Sequence, residues 1–225
     1  MKKHIVILDP FPRTLKLIFS KDKFKKLKLS YKLIYAPKMH KKNFYEKNIQ
    51  KASFIIGQPD LPKEILIKAK NLKAIINVES NFMNNMDYQY CFKKGIYVIA
   101  TSPVFSKPVA EIALGMTLSL LRNIHNAHLD FIKGKEKYGL ESNLKASLLS
   151  GKKIGLIGFG DLAKSLYPLL LPFSKDINVY DPWIPKLNIQ KLGFKSLSLN
   201  KIFENCDVIY VLATVTTKNK HFIDK

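Results

Sequence analysis

Two cysteines, one tryptophan and only 17 acidic side chains against 38 basic ones are spread over 225 residues. Each scarcity excludes something. Cys91 and Cys206 stand far apart in no CxxC or Cys/His spacing, so neither a disulfide framework nor a structural zinc is expected. His125 and His128 lie i,i+3 without a carboxylate or third histidine at ligand spacing, and no metal site is expected there. The longest apolar stretch, Ile112 to Leu121, is roughly half of the about 20 residues a bilayer span requires. The opening MKKHIVILDP carries too short an apolar run for a secretory leader, and Asp9-Pro10 ends it. A cytoplasmic protein without a membrane segment is the simplest reading.

Arginine is also scarce. The net charge of +21 is almost entirely lysine, with Arg13 and Arg122 the only arginines. Proteins that read base sequence lean on arginine for two-point contacts to guanine, so no specific nucleic-acid partner is expected. Weak, salt-sensitive attraction to polyanions remains as a by-product of the lysines. Their densest cluster, Lys21 to Lys28, reads as the solvated face of a helix whose Phe24 and Leu27 are spaced to face a core.

What is present is an apolar content of 47%, enough to fill a core in one or two domains. The first hundred residues alternate short, β-branched runs with helix-like segments. The strand candidates are His4–Leu8, Lys32–Tyr35, Phe54–Gly57, Ala74–Val78 and Tyr97–Ala100. Helices are expected over Leu61–Lys70 and Asp87–Lys94, the latter closed by Gly95. Strands apolar on both faces suit a parallel sheet covered by helices. Val109 to Ile124 reads as a long linking helix, and Lys133 to Ser150 as polar and irregular. The expected architecture is α/β: two doubly wound parallel-sheet domains, a flavodoxin-like one over 1–102 and a Rossmann one over 103–225.

The segment KKIGLIGFGDLAKSLYPLLLPFSKDINVYDP, Lys152 to Pro182, carries the chemistry. An apolar strand, Ile154–Ile157, stops at Gly158, Gly160 and Ala163, the G-x-G-x-x-G/A spacing. A helix follows over Leu162–Leu171, then a strand, Ile177–Tyr180, ending in Asp181. Gly158 permits the turn out of the strand, Gly160 lets the backbone approach a pyrophosphate, and Ala163 lets the helix pack on the strand. Amides at the helix start point toward the phosphates. Asp181 is placed to accept from the ribose hydroxyls, and a carboxylate there repels a 2′-phosphate, which favours NAD over NADP.

Several separate stretches resemble the D-isomer-specific 2-hydroxyacid dehydrogenases. They are LKAIINVE…NNMD, KKGIYVIATSP, PVAEIALGMTLSLLRNI, SLLSGKKIGLIGFG, VYDP and DVIYVLATVTTKNKHFI, reaching from about Leu61 to Lys225. The resemblance implies hydride transfer between NAD and a small 2-hydroxy or 2-keto acid, in a homodimer. It assigns the cofactor to Gly158, Gly160, Asp161, Leu162, Asp181, Ala213, Thr214 and Val109. It assigns the substrate carboxylate to the loop of Ser80, Asn81 and Phe82. The family's catalytic Arg, Glu and His would lie beyond Lys225, as would strands five and six of the dinucleotide sheet. No residue here inherits a catalytic role, and the 225 residues alone are expected to be inactive, with Val208–Leu212 an exposed sheet edge.

Two departures stand out. The family usually places Gly-x-Gly where this chain has Glu79-Ser80-Asn81, and a carboxylate pointing inward there disfavours an anionic substrate. Asp161 stands where many members place Arg, Lys or Asn beside the pyrophosphate. An alternative function is a non-catalytic, NAD-sensing regulator of the corepressor kind, since the fold serves such proteins too. A third, driven by charge alone, is nucleic-acid binding.

Overall fold

The computed structural model describes residues 3–39, 41–79, 82–214, 219 and 222–223. The chain divides into two compact units, Met1–Ser102 and Pro103–Lys225.

The first unit runs β1 (Ile5–Asp9), α1 (Leu15–Ile18), α2 (Lys21–Ser30), β2 (Lys32–Tyr35), α3 (Lys41–Asn48), β3 (Phe54–Gly57), α4 (Lys63–Leu66), β4 (Ala74–Ile76), α5 (Tyr88–Lys93) and β5 (Tyr97–Ile99). All five strands are parallel, in the order β2-β1-β3-β4-β5, the flavodoxin-like winding. Val6, Ile7 and Leu8 of β1 are buried in succession, as expected of a strand covered on both faces. One face holds a core of Ile7, Tyr45, Ile49, Ile55, Leu61, Leu66, Ile75, Met86 and Cys91. Helix α5 is bounded as its sequence suggests: Asp87 accepts from the Tyr90 amide at 2.8 Å, and Gly95 follows at φ 70°.

Two expectations need correction. The helix expected over Leu61–Lys70 shrinks to four residues, because Lys68 and Ala69 donate to Ile65 and Leu66, three residues back. Three residues per turn puts Leu66, Ala69 and Leu72 on one buried line. Helix α2 forms, but Phe24 and Leu27 are only half-buried, and no residue of α2 reaches the core. Lysines at 21, 23, 25, 26 and 28 leave too narrow an apolar strip.

The second unit opens with α6 (Ser102–Leu121), α7 (Ile124–Ile132) and α8 (Gly139–Asn143). It continues β6 (Ile154–Ile157), α9 (Asp161–Leu170), β7 (Ile177–Tyr180), α10 (Lys186–Lys191), β8 (Lys195–Ser196), α11 (Leu199–Asn205) and β9 (Val208–Val211). Its parallel sheet is ordered β8-β7-β6-β9, the first four positions of the Rossmann winding, with β9 at the edge. Ile154, Leu156, Phe159, Ala163, Leu166, Leu170 and Val179 form the core with Ala110 of α6. The linking helix starts seven residues before the expected Val109, running through Pro108, and stops at Leu121. Asn123, at φ 54° in the left-handed region, separates it from α7. By length and hydropathy α6 could cross a membrane. Its Ala110, Ala113, Leu114, Leu118 and Leu121 pack one face on the sheet core, while most of the helix surface is exposed.

Candidate functional site

Strand β6 lies between β7 and β9, and all four of its residues are buried. The winding reverses at β6, and in such sheets ligands bind outside the carboxyl ends at that point. There the chain turns at Gly158, with φ 92°. A Cβ on Gly158 would stand 2.8 Å from the Cα and N of Ala213, beyond the end of β9. The glycine therefore does two jobs: it takes a conformation side chains resist, and it lets the turn close against the neighbouring strand.

Gly160 differs. It caps α9 with no side-chain hydrogen bond, and a Cβ there would meet no heavy atom within 4 Å. The space beside Gly160, at the start of a ten-residue helix, fits the close approach of a pyrophosphate. Ala163 is fully buried and Leu162 partly so, whereas Asp161 lies in the helix's first turn, where a carboxylate complements the dipole.

Asp181 has more work than its sequence position suggests. One oxygen accepts from the Phe159 amide at 2.7 Å, and the other from the Trp183 and Ile184 amides at 2.8 and 3.0 Å. It ties the glycine turn to the loop after β7. Of the roughly four acceptor positions on a carboxylate, three are used, leaving room for a ribose hydroxyl. An aspartate ahead of Pro182 is an Asx-turn signal, which could have shown this second role. Phe159, the middle residue of Gly-x-Gly, carries no signal in the glycine spacing, yet it is buried and packs edge-on against Phe194 at 5.1 Å.

Ala213 is thus brought to the turn, with Thr214 next to it, its carbonyl accepting from Asn219 at 2.8 Å. Val109 stands part-exposed on α6, one turn after Ser106, whose hydroxyl meets that of Ser165 in α9 at 2.9 Å.

The carboxyl edge of the first sheet is polar and largely self-satisfied. Buried Asp9 at the end of β1 receives Lys41 Nζ at 2.6 Å and the Tyr45 hydroxyl at 3.0 Å. Burial, then the Asp9 charge, pushes the Tyr45 hydroxyl well above the usual phenol range. Asn85 accepts from Gln58 and Tyr88 and donates to the Pro59 carbonyl, fastening the segment after Phe82 to the end of β3. Phe82 is half-exposed and meets Tyr88 edge-on at 5.4 Å. Ser80 and Asn81 lie outside the described residues. Glu79 accepts a two-point contact from Arg13, at 2.9 and 3.1 Å, which raises the guanidinium pKa further. Among the described residues, neither side-chain polar atom of wholly buried Asn77 has a hydrogen-bond partner. No group of three or more potential ligand side chains among the described residues could hold a metal ion.

The family model described as "D-isomer specific 2-hydroxyacid dehydrogenase, NAD binding domain" matches residues 114–225. A hydroxypyruvate reductase of Thermotoga maritima is 32% identical over 162 residues, 72% of this chain and 51% of the relative. A D-3-phosphoglycerate dehydrogenase of Methanocaldococcus jannaschii is 28% identical over 164 residues, 72% of this chain and 30% of that protein. Among solved structures, a phosphoglycerate oxidoreductase from Rhizobium etli superposes with a TM-score of 0.74 at 40% identity, covering 96% of this chain and 66% of its own. The chain therefore spans about half the length of the first of these curated relatives and less of the second. The cofactor of the matched domain is NAD. Together with the Gly158–Gly160 turn, the open start of α9 and the placement of Asp181, these matches show that the chain belongs to the D-isomer-specific 2-hydroxyacid dehydrogenase family.

Proposed function

We propose that the chain serves an NAD-dependent oxidoreductase acting on a small 2-hydroxy acid, or reducing the corresponding 2-keto acid. The observation that carries this reading is the second sheet's carboxyl edge, where the start of α9, an open Gly160 and Asp181 converge. In this reading Gly158, Gly160, Asp161 and Leu162 frame the pyrophosphate and Asp181 takes the adenosine ribose. Ala213, Thr214 and Val109 line the nicotinamide side. Bound NAD supplies hydride transfer, and the protein's part is to hold and orient it against the substrate carbon. In the same reading Ser80, Asn81 and Phe82 would serve the substrate carboxylate. No proton donor is assigned within residues 1–225.

Trp183, the only tryptophan, sits two residues beyond Asp181 and is exposed, so its fluorescence reports on this pocket. Titration with NADH should quench it saturably, with NADPH binding more weakly. A flat titration of folded protein would sink the cofactor reading.

The family's dimer is part of the proposal. Ile112, Met116 and Leu120 form an exposed stripe on α6, each at least 60% accessible, opposite the face packed on the core. A second copy of the chain would cover it, in the cytoplasm, where the free thiols of Cys91 and Cys206 are at home. Sedimentation should give a dimer that Met116→Lys converts to monomer.

A further inference from the structure

Arg13 and Glu79 are 66 positions apart in the chain, yet they meet at the carboxyl edge of the first sheet. Arg13 follows β1 and Glu79 follows β4, and the sheet order puts β3 between those strands. The ion pair therefore bridges past the end of β3. That strand ends in Gly57, where a Cβ would stand 2.2 Å from the Asp9 carbonyl oxygen. Only a glycine lets the end of β1 lie so close before its loop departs.

The contact is two-point, Nε and Nη2 of Arg13 to the two oxygens of Glu79. This is the geometry with which a guanidinium takes the carboxylate or phosphate of a ligand. Here the chain's own carboxylate already fills the fork. Lys41, the cation after β2, is likewise held by buried Asp9. Glu79 also stands where the resemblance expects a glycine, so this counter-anion is a feature of this chain's loop.

We infer that Glu79 is an internal counter-anion that sets the charge of the substrate this edge accepts. It admits a 2-hydroxy or 2-keto acid whose far end is uncharged, and turns away one carrying a second carboxylate or a phosphate. The inference rests on the 2-hydroxyacid reading and names the substrate class within it. A second anionic group meets one of two penalties. If it displaces Glu79 from Arg13, it leaves a three-quarters buried carboxylate without its partner. If it leaves the pair intact, it approaches a neutral couple whose nearer charge gains it little. A hydroxyl-bearing end incurs neither.

The test uses the full chain with saturating NADH, at about 0.15 M ionic strength so that the lysine-rich surface is screened. Calorimetric titration with glycerate, 3-phosphoglycerate and tartronate compares an uncharged end with a phosphate and a second carboxylate. Wild type should bind glycerate roughly tenfold or more tighter than either of the other two, the scale of one charged hydrogen bond. Glu79→Gln should tighten both 3-phosphoglycerate and tartronate by a similar factor while glycerate changes little. Wild type that prefers 3-phosphoglycerate, or a ratio that Glu79→Gln leaves unmoved, would overturn the inference. The wild-type ratio decides even where the variant does not fold. Failure of the enzyme reading shows separately, as lost NADH binding.

Discussion

The carboxyl edges of the two sheets are built in opposite ways. At the second, the backbone shapes the edge: Gly158 closes the turn, Gly160 leaves a space, and α9 starts from a glycine with no side chain to cap it. At the first, side chains consume one another: Asp9 with Lys41 and Tyr45, Glu79 with Arg13, Asn85 with Gln58 and Tyr88. An edge built from backbone donors is general, suited to a phosphate that many proteins share. An edge built from paired side chains is particular, because each pair excludes some ligand charges and admits others. The difference fits a division of labour between a common cofactor and an individual substrate.

The largest expected effects break the second edge. Gly158→Ala puts a side chain at φ 92° and 2.8 Å from the Ala213 backbone. It should cost about 3–5 kcal/mol of stability and abolish NADH binding, since strain and overpacking add. Gly160→Val meets no such clash and should fold nearly normally, yet also lose NADH, because the branched group fills the approach to the helix amides. Thermal melts alongside Trp183 titrations separate the two. Equal loss of stability in both variants would mean that Gly160 is not an open cradle.

Asp181→Ala comes next. Three backbone amides lose a charged acceptor, so stability should fall by about 2–3 kcal/mol. NADH should weaken at least roughly tenfold, and the preference over NADPH should shrink. A loss of affinity with the NADH-to-NADPH ratio unchanged would leave Asp181 a staple of the turn and take it away from the ribose.

How far each edge can be read in sequence follows from the same contrast. The second is local: strand, glycines, helix and acid lie within 30 residues, and each position's duty follows from backbone geometry. The order β8-β7-β6-β9 is likewise readable from the strand–helix alternation after the glycines, although β8 is a two-residue polar stretch. The charged pairs of the first edge join residues 32 to 66 positions apart, and nothing in the neighbourhood of Arg13 announces Glu79. Helix ends misread for a similar reason. Pro108 looks like a helix start, but packing of Ser106 and Ala110 carries α6 through it. The segment after α4 tightens because burying Leu66, Ala69 and Leu72 together outweighs helical propensity.

A smaller effect probes the first edge through pH. The fold holds Tyr45 protonated above the pH at which an unfolded tyrosine ionises, by burial first and the Asp9 charge second. Its contribution is therefore complete below about pH 10 and lost as pH rises further, at about 1.4 kcal/mol per unit. Tyr45→Phe should cost about 1–2 kcal/mol at neutral pH, by leaving Asp9 one donor short, and should flatten that alkaline decline. Denaturant melts between neutral pH and pH 11 measure both, and an unchanged alkaline slope would remove Tyr45 as its source.

The smallest expected effect is at Asn77, the exception to the first edge's self-satisfaction. It is wholly buried at the end of β4, with neither amide atom in a hydrogen bond among the described residues. The nearby Tyr88 hydroxyl gives its proton to the Met83 carbonyl and to Asn85. The Asn77 amide meets its oxygen too loosely for a formed bond, though closely enough to oppose the rise that burial gives the phenol pKa. A buried amide without partners is a cost the fold bears, and replacing it by an apolar side chain of similar volume removes that cost. Asn77→Leu should therefore change stability by no more than about 1 kcal/mol, and in the stabilising direction. The same substitution at Asn85, which makes three side-chain bonds, should destabilise clearly. Paired melts of the two variants decide the matter. If Asn77→Leu proves as damaging as Asn85→Leu, Asn77 has partners in solution, and the first edge is sealed throughout by its own side chains.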